Sequence, residues 1–223
     1  MAVMTRVADK SPVRSYGGVS ARQRVAARYE RLLDAALELY GTRGYVATGV
    51  KDVCRQAGLT DRYFYESFQN SGDLFTAAFD RTTNELLLLV AQRLTEVDAD
   101  PAAQVHAAIE TFVRALADDP RKARLLFVET ASAGADVERH VRATVRRFAE
   151  LVAATARPHL PEDVPEQLLD MGALSLVGAM ALVMVEWQDG ELDVSIDELI
   201  DYFVELFLVA ARAAAPPPVQ MRM

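Results

Sequence analysis

Apolar residues recur at three- and four-residue steps along most of the chain, the spacing of one face of an α-helix. The first series predicts a helix over about residues 21–40: Val25, Tyr29, Leu32, Leu33, Ala36, Leu37 and Tyr40. Gly41 and Gly44 are expected to end it. Further helices are predicted over about 70–94, 101–118, 163–188 and 195–214, and a long arginine-rich segment runs over about 135–157. No convincing alternating strand pattern appears, so the sequence predicts an all-α fold.

Two short helical segments, 50–57 and 60–68, are separated only by a turn around Gly58, Leu59 and Thr60. The first has one apolar face, and the second carries Phe64 and Phe68 on another. Gly58 allows a sharp turn, and Thr60 is suited to cap the second segment. This spacing predicts a helix-turn-helix, in which the helix over 21–40 supplies the third packing wall.

The outward face of the second segment presents polar and aromatic side chains: Asp61, Arg62, Tyr63, Tyr65 and Glu66. Such side chains reach base edges and phosphates when a helix lies in a major groove. A helix start at Thr48 would also offer free backbone N–H groups to a phosphate. From spacing alone, an ordinary helical hairpin with a polar outer face stays open as the alternative.

Charge is unevenly distributed. The whole chain has a net charge of −8, but residues 1–68 carry 11 basic and 7 acidic residues, a net of +4. The remainder therefore carries a net of −12. Because attraction to phosphate is local and screened, a basic end on an acidic body suits DNA binding. Residues 1–20 are expected to form a flexible basic arm, and residues 216–223 a loose tail.

The stretch "RLLDAALELYGTRGYVATGVKDVCRQAGLTDRYFYESFQNSGDLFTAAF" resembles the N-terminal DNA-binding domain of TetR-type transcriptional regulators. The resemblance implies phosphate contacts for Thr48, Thr60 and Tyr65, and base-facing roles for Asp61, Arg62 and Tyr63. It also implies C-terminal helices that bind a small molecule, with the last two forming a four-helix dimer interface. Two departures are Ser71, where a lysine is common, and Gly49, where Thr or Ser is usual.

The later helices suggest where a ligand and a second copy would bind. An apolar ligand pocket is predicted at aromatic, Met and acidic positions, although core packing explains each apolar position equally well: Phe112, Phe127, Glu129, Met180, Met184 and Trp187. A carboxylate such as Glu129, beside apolar stretches, must be solvated, paired or facing a cavity. The last two helices carry more apolar surface than one chain can cover, which predicts a dimer interface with Leu176, Leu199, Phe203, Leu206 and Phe207.

Several classes of protein are disfavoured. One cysteine, Cys54, excludes a disulfide framework and suits a reducing cytoplasm. The longest apolar run, 171–185, is short for a bilayer span, so no membrane partner is expected. The histidines lack paired metal-ligand spacing, no catalytic constellation is recognisable, and no cofactor is predicted.

The sequence therefore predicts four parts: the arm at 1–20, a helix-turn-helix domain at 21–68, a ligand-binding and dimerisation domain at 69–215, and the tail at 216–223. The predicted function is a cytoplasmic, homodimeric repressor that binds a near-palindromic double-stranded DNA operator and responds to a largely apolar small-molecule effector. The alternative is a helical small-molecule-binding protein with weak or lost DNA binding, favoured by Ser71 and the acidic residues Asp61 and Glu66. A helical enzyme is disfavoured.

Overall fold

The computed structural model describes residues 20–214. The predicted tail lies outside these residues, as does the predicted arm except for Ser20. Between residues 20 and 214 every regular element is helical. The α-helices are α1 (Ala21–Thr42), α2 (Val50–Ala57), α3 (Asp61–Tyr65), α4 (Ser71–Leu94), α5 (Pro101–Asp118), α6 (Pro120–Ala123), α7 (Ala135–Ala156), α8 (Glu166–Gln188) and α9 (Ile196–Ala214). A π-helical turn, Arg124–Val128, and a 3₁₀ turn, Glu129–Ser132, follow α6, and a second 3₁₀ turn, Arg157–His159, follows α7.

Polar caps set several of these boundaries. Ser20 and Gln23 form a reciprocal capping box at the start of α1, with backbone-to-side-chain distances of 2.7 and 3.1 Å. The Asn70 side chain accepts the Asp73 N–H at the start of α4 and is the N-cap of that helix. Asp100 caps α5, with Pro101 at its first position. The fold class and the long helices are as predicted.

Gly41 does not end α1, contrary to the prediction. It lies inside the helix, and α6 crosses it so closely that a Cβ at this position would lie 2.7 Å from the Arg121 Cα atom. Gly44 has φ +91°, a left-handed backbone that follows the end of the helix. Gly41 is therefore required by the close packing of two helices, and Gly44 by the conformation of the backbone.

One apolar core joins the N-terminal helices to α5, α6 and α9. Tyr40, Phe75, Met184 and Phe203 are among its fully buried side chains. Two predicted interface residues, Leu199 and Phe203, belong to this core and are 2% and 0% exposed. The prediction that they face a second copy is wrong, because α9 directs this stripe into its own chain.

The helix α8 is largely uncovered. Ala173 packs against Ala149 and Ala153 of α7. However, only 11% of the most apolar 18-residue stretch of α8 is buried. At 23 residues α8 is long and apolar enough, by length and composition, to cross a bilayer. The length of α8 therefore does not exclude a membrane span, contrary to the prediction from the run 171–185. The exposed apolar side chains of α8 need another surface to cover them.

Candidate DNA-binding surface

The turn between α2 and α3 is fixed by glycine and by a guanidinium. Gly58 has φ +61°, and its N–H donates to backbone oxygens at the end of α2. Arg31 of α1 donates to the Ala57 carbonyl and, at 3.2 Å, to the Gly58 carbonyl. Arg31 was not identified from the sequence, where it is one of many arginines on a polar helix face.

Aromatic side chains hold the inner face of α3. Phe64 is completely buried, and its ring centroid lies 5.8 Å from that of Phe68. Phe68 stacks on Tyr29 of α1 at 5.1 Å. Because α3 has only five residues, these tertiary contacts rather than its own hydrogen bonds fix its orientation. The predicted third packing wall is thus supplied by α1.

The outer face of α3 is open to solvent at most of the predicted positions. Thr60 is the exposed N-cap, Asp61 is exposed, the Arg62 side chain is 84% exposed, and Tyr65 is 62% exposed. These four residues therefore share one accessible end of the molecule. Asp61 also faces Cys54, and burial together with this carboxylate raises the pKa of the Cys54 thiol.

Two arginines and Glu66 form a charged group beside this face. The Arg62 Nε atom lies 3.1 Å from the Glu66 carboxylate, and the Arg28 guanidinium lies 3.5 Å from it. Arg28 also lies over the Tyr63 ring, 4.4 Å from its centroid, so Tyr63 is only half-exposed. Glu66 thus pairs with both Arg62 and Arg28.

Thr48 is placed differently from the prediction. The helix α2 begins two residues later, at Val50, with Gly49 as its N-cap. Thr48 is buried, and its hydroxyl donates to the Gly44 carbonyl at 2.8 Å. The Gly49 N–H donates to Asp52, and this hydrogen bond, with that from Arg55, lowers the pKa of Asp52. A phosphate contact by Thr48 stays a prediction. Ser71 is the half-buried first residue of α4.

This N-terminal unit matches a family model. The model for bacterial regulatory proteins of the tetR family covers residues 32–78, from the middle of α1 into α4. Residues 32–78 therefore belong to the TetR family. Proteins of this family are regulators rather than enzymes, which confirms the prediction of a regulator rather than an enzyme.

Similarity to known proteins extends beyond this unit. The chain is 31% identical over 100 residues to the HTH-type transcriptional activator FasR of Mycolicibacterium smegmatis, a match that spans 45% of each protein. The crystal structure of FadR from Bacillus subtilis in complex with stearoyl-CoA has a TM-score of 0.69 at 16% identity, and the match covers 82% of this chain and 98% of FadR. AibR, in complex with isovaleryl coenzyme A and operator DNA, has a TM-score of 0.62 at 18% identity, with 80% and 97% covered. At these identities the two structures establish the shared fold.

The apolar residues of the predicted pocket belong to, or pack against, the apolar core that joins the N-terminal helices to the later ones. Met184 is fully buried, whereas Phe112, Phe127, Met180 and Trp187 are partly buried against the core. Of the clefts formed by residues 20–214, one lies between α1 and α4 and another between α1, α2 and α6, and none of the six predicted residues lines either. A ligand pocket at these residues stays a prediction.

Glu129 is buried and paired. Its carboxylate accepts the backbone N–H of Tyr45 at 2.7 Å and the Arg124 Nε–H at 2.9 Å. Of the alternatives that the sequence leaves open for this residue, the structure shows pairing. The partner Tyr45 is 84 residues away, a contact that no local sequence pattern indicates.

Proposed function

We propose that this chain is a cytoplasmic transcriptional regulator that binds a near-palindromic operator as a homodimer. The observation that carries the proposal is the geometry of α3. Its inner face packs against α1, while the Arg62 and Tyr65 side chains are exposed on its outer face. A short, rigid, externally braced helix of this kind suits insertion into a major groove.

The base-facing and phosphate-facing roles follow from chemistry and exposure. Arg62 carries a forked guanidinium that matches the two acceptors of guanine, and it would exchange its contact with Glu66 for the base. Tyr65 and Thr60 carry hydroxyls beside it that suit phosphate oxygens. Asp61 suits a cytosine amine. Tyr63, covered by Arg28, contributes its exposed edge.

The exposed apolar face of α8 and α9 supports dimerisation. Its exposed large side chains occur on both helices: Leu168, Met171, Leu174, Leu182, Tyr202 and Val209. A second copy related by twofold symmetry would cover this face and bring two α3 helices to one side of the dimer. Of the predicted interface residues, Leu176, Leu206 and Phe207 are partly exposed and stay in this proposal.

An acyl-CoA is the proposed effector class. The structures of FadR and AibR were solved with stearoyl-CoA and isovaleryl coenzyme A, and a largely apolar effector agrees with an acyl chain. The acyl chain would lie between side chains that now pack in or against the core and would push them apart: Phe112, Phe127, Met180, Met184 and Trp187. A ligand that binds more tightly to a dimer with displaced α3 helices than to the DNA-binding dimer lowers the affinity for DNA. The size of this effect is set by the difference between the ligand's affinities for the two states.

Repression is the proposed sign of regulation, since a dimer seated on its operator blocks access to that DNA. FasR is named a transcriptional activator, which favours activation as the second candidate. A reporter gene placed behind the operator distinguishes them. Deleting the regulator raises expression under repression and lowers it under activation.

Selection of bound fragments from random DNA with the purified protein tests the proposal. The expected result is an enriched, near-palindromic sequence whose half-sites are centred about one helical turn apart or a small multiple of that distance. Failure to enrich any sequence, from a folded protein that still binds acyl-CoA, would establish the alternative of a small-molecule-binding protein without DNA binding.

A further inference from the structure

The carboxylate of Glu129 connects the two domains at the loop that precedes the helix-turn-helix. The residue is 6% exposed, and its carboxylate reaches Tyr45 in the loop between α1 and α2. A buried carboxylate is stable only while its hydrogen-bond partners are in place. The position of the loop and the position of Glu129 are therefore interdependent.

The loop transmits this position to α2 through a short series of hydrogen bonds. The Tyr45 carbonyl accepts the Thr48 N–H at 3.1 Å, and the Gly44 carbonyl accepts the Thr48 hydroxyl at 2.8 Å. The next residue, Gly49, is the N-cap of α2. A Cβ at Gly44 would lie 3.1 Å from a Glu129 oxygen, so the backbone and the carboxylate are closely packed.

On the other side, Glu129 depends on the π-helical turn. The Glu129 N–H donates to the Arg124 carbonyl, and the two side chains form an ion pair. In a π-turn, residues five apart lie nearly above one another, as residues four apart do in an α-helix. In an ordinary α-helix, residues five apart point about 140° away from each other. The contact between Arg124 and Glu129 therefore requires the π register.

We infer that Glu129 is a positioning residue through which the helical register of Arg124–Val128 sets the position of the DNA-binding loop. In the π register the carboxylate holds Tyr45 and the start of α2. A return to the α register rotates Glu129 relative to Arg124 and releases the Tyr45 N–H. We thus assign the turn two discrete arrangements, the π register that is observed and the α register, and coupling between sites requires such a pair.

The predicted pocket residue Phe127 lies in the same turn, between Arg124 and Glu129. A ligand that moves Phe127 would change the register and, through Glu129, the loop. This last step rests on the proposed function, whereas the link between Glu129 and the loop does not.

Hydrogen exchange and DNA binding of three variants test the inference. Glu129→Ala removes the acceptor, Glu129→Gln retains an oxygen for Tyr45 without the charge, and Glu38→Gln is the control. Glu38 also joins the two domains, at 2.5 Å from Arg121, but it contacts α6 rather than the loop. Exchange is followed in the peptide over residues 43–49, and affinity is measured on a selected DNA fragment at a temperature where each variant is folded.

In Glu129→Ala, exchange in this peptide should become about tenfold faster, and DNA affinity should fall by about the same factor, because a hydrogen bond to a charged group is lost. Glu129→Gln should be intermediate, and Glu38→Gln unchanged in the peptide. If Glu129→Ala does not fold, Arg124→Gln is measured in its place with the same expectation.

The inference is overturned if exchange in the peptide is unchanged in the Glu129 variant, or rises equally in Glu38→Gln. Absence of DNA binding by the wild type would refute the proposed function alone, because the exchange experiment contains no DNA.

Discussion

At the scale of single residues, Arg62 and Tyr65 differ in what they should contribute to DNA binding. The Arg62 guanidinium is exposed and linked to Glu66, so it can reach a base edge by changing rotamer. Tyr65 presents a hydroxyl on the same side. We therefore expect Arg62 to determine base specificity and Tyr65 to contribute to the affinity for any DNA sequence.

Replacing Arg62 with Ala should cost about 1–3 kcal/mol on the selected site and relax the preference at one base pair in each half-site. Tyr65→Phe should weaken binding to all sequences similarly. Both are measured by titration on the selected site and on single-base variants. If both variants lower affinity without altering base preference, Arg62 contacts only phosphate, and specificity comes from Asp61, Tyr63 or the shape of the DNA.

For single residues, the exposed positions of α3 could be predicted from the sequence, but several contacts could not. Which side chains of α3 face outwards follows from helical spacing: Asp61, Arg62, Tyr65 and Glu66 are exposed as that spacing predicts, and Tyr63 is half-exposed. The contacts of Arg31 with Gly58, of Thr48 with Gly44 and of Glu129 with Tyr45 could not be predicted, because each joins a side chain to a backbone group in a turn or loop whose path depends on the assembled fold.

At the scale of elements, the long helices were predictable because local signals mark their ends, such as Asn70 with Asp73 and Asp100 before Pro101. The π and 3₁₀ turns over Arg124–Ser132 were not, since this segment has ordinary helical composition and owes its shape to tertiary contacts. An apolar stripe likewise does not reveal what covers it. For this reason Phe203 was assigned to a partner although its own chain buries it.

The crossing of α1 and α6 gives a prediction at this scale. Gly41→Ala places a methyl group within 2.9 Å of the Arg121 carbonyl oxygen as well as its Cα atom, so the two helices must separate. The expected cost is about 1–3 kcal/mol of stability, as for other overpacked sites. Thermal or urea unfolding measures it.

Gly49→Ala is the matched control for this variant. Gly49 has φ −91°, and the nearest atom to an added Cβ is 3.5 Å away, an ordinary contact. Its cost should be about 0.5–1 kcal/mol, because Ala is a clearly poorer N-cap than Gly, and it should stay below the cost of Gly41→Ala. Equal losses in the two variants would show that the crossing of α1 and α6 is not tightly packed.

At the scale of the whole molecule, the uncovered face of α8 and α9 is the main feature that a single chain leaves unexplained. Leu182→Arg places a charge at a side chain that is 63% exposed on this face. The variant should fold but sediment as a monomer at micromolar concentration, whereas the wild type should sediment as a dimer. Phe203→Arg is unsuitable for this test, because it would disrupt the core.

Leu88→Arg is the control for Leu182→Arg. Leu88 is 71% exposed, but it lies on α4, away from the proposed interface. The control should remain a dimer. A wild type that is monomeric at micromolar concentration, or a control that dissociates like Leu182→Arg, would contradict the proposed interface.

Hydroxyl-radical footprinting of the wild-type protein on its selected DNA fragment tests most directly whether a dimer binds DNA through α3. Two protected stretches are expected on one face of the duplex, centred about one helical turn or a small multiple of it apart, because two α3 helices of one dimer would enter successive grooves. Both stretches should disappear together when Leu182→Arg replaces the wild type. A single protected stretch, or two stretches that persist in that variant, would contradict binding as a dimer through α3.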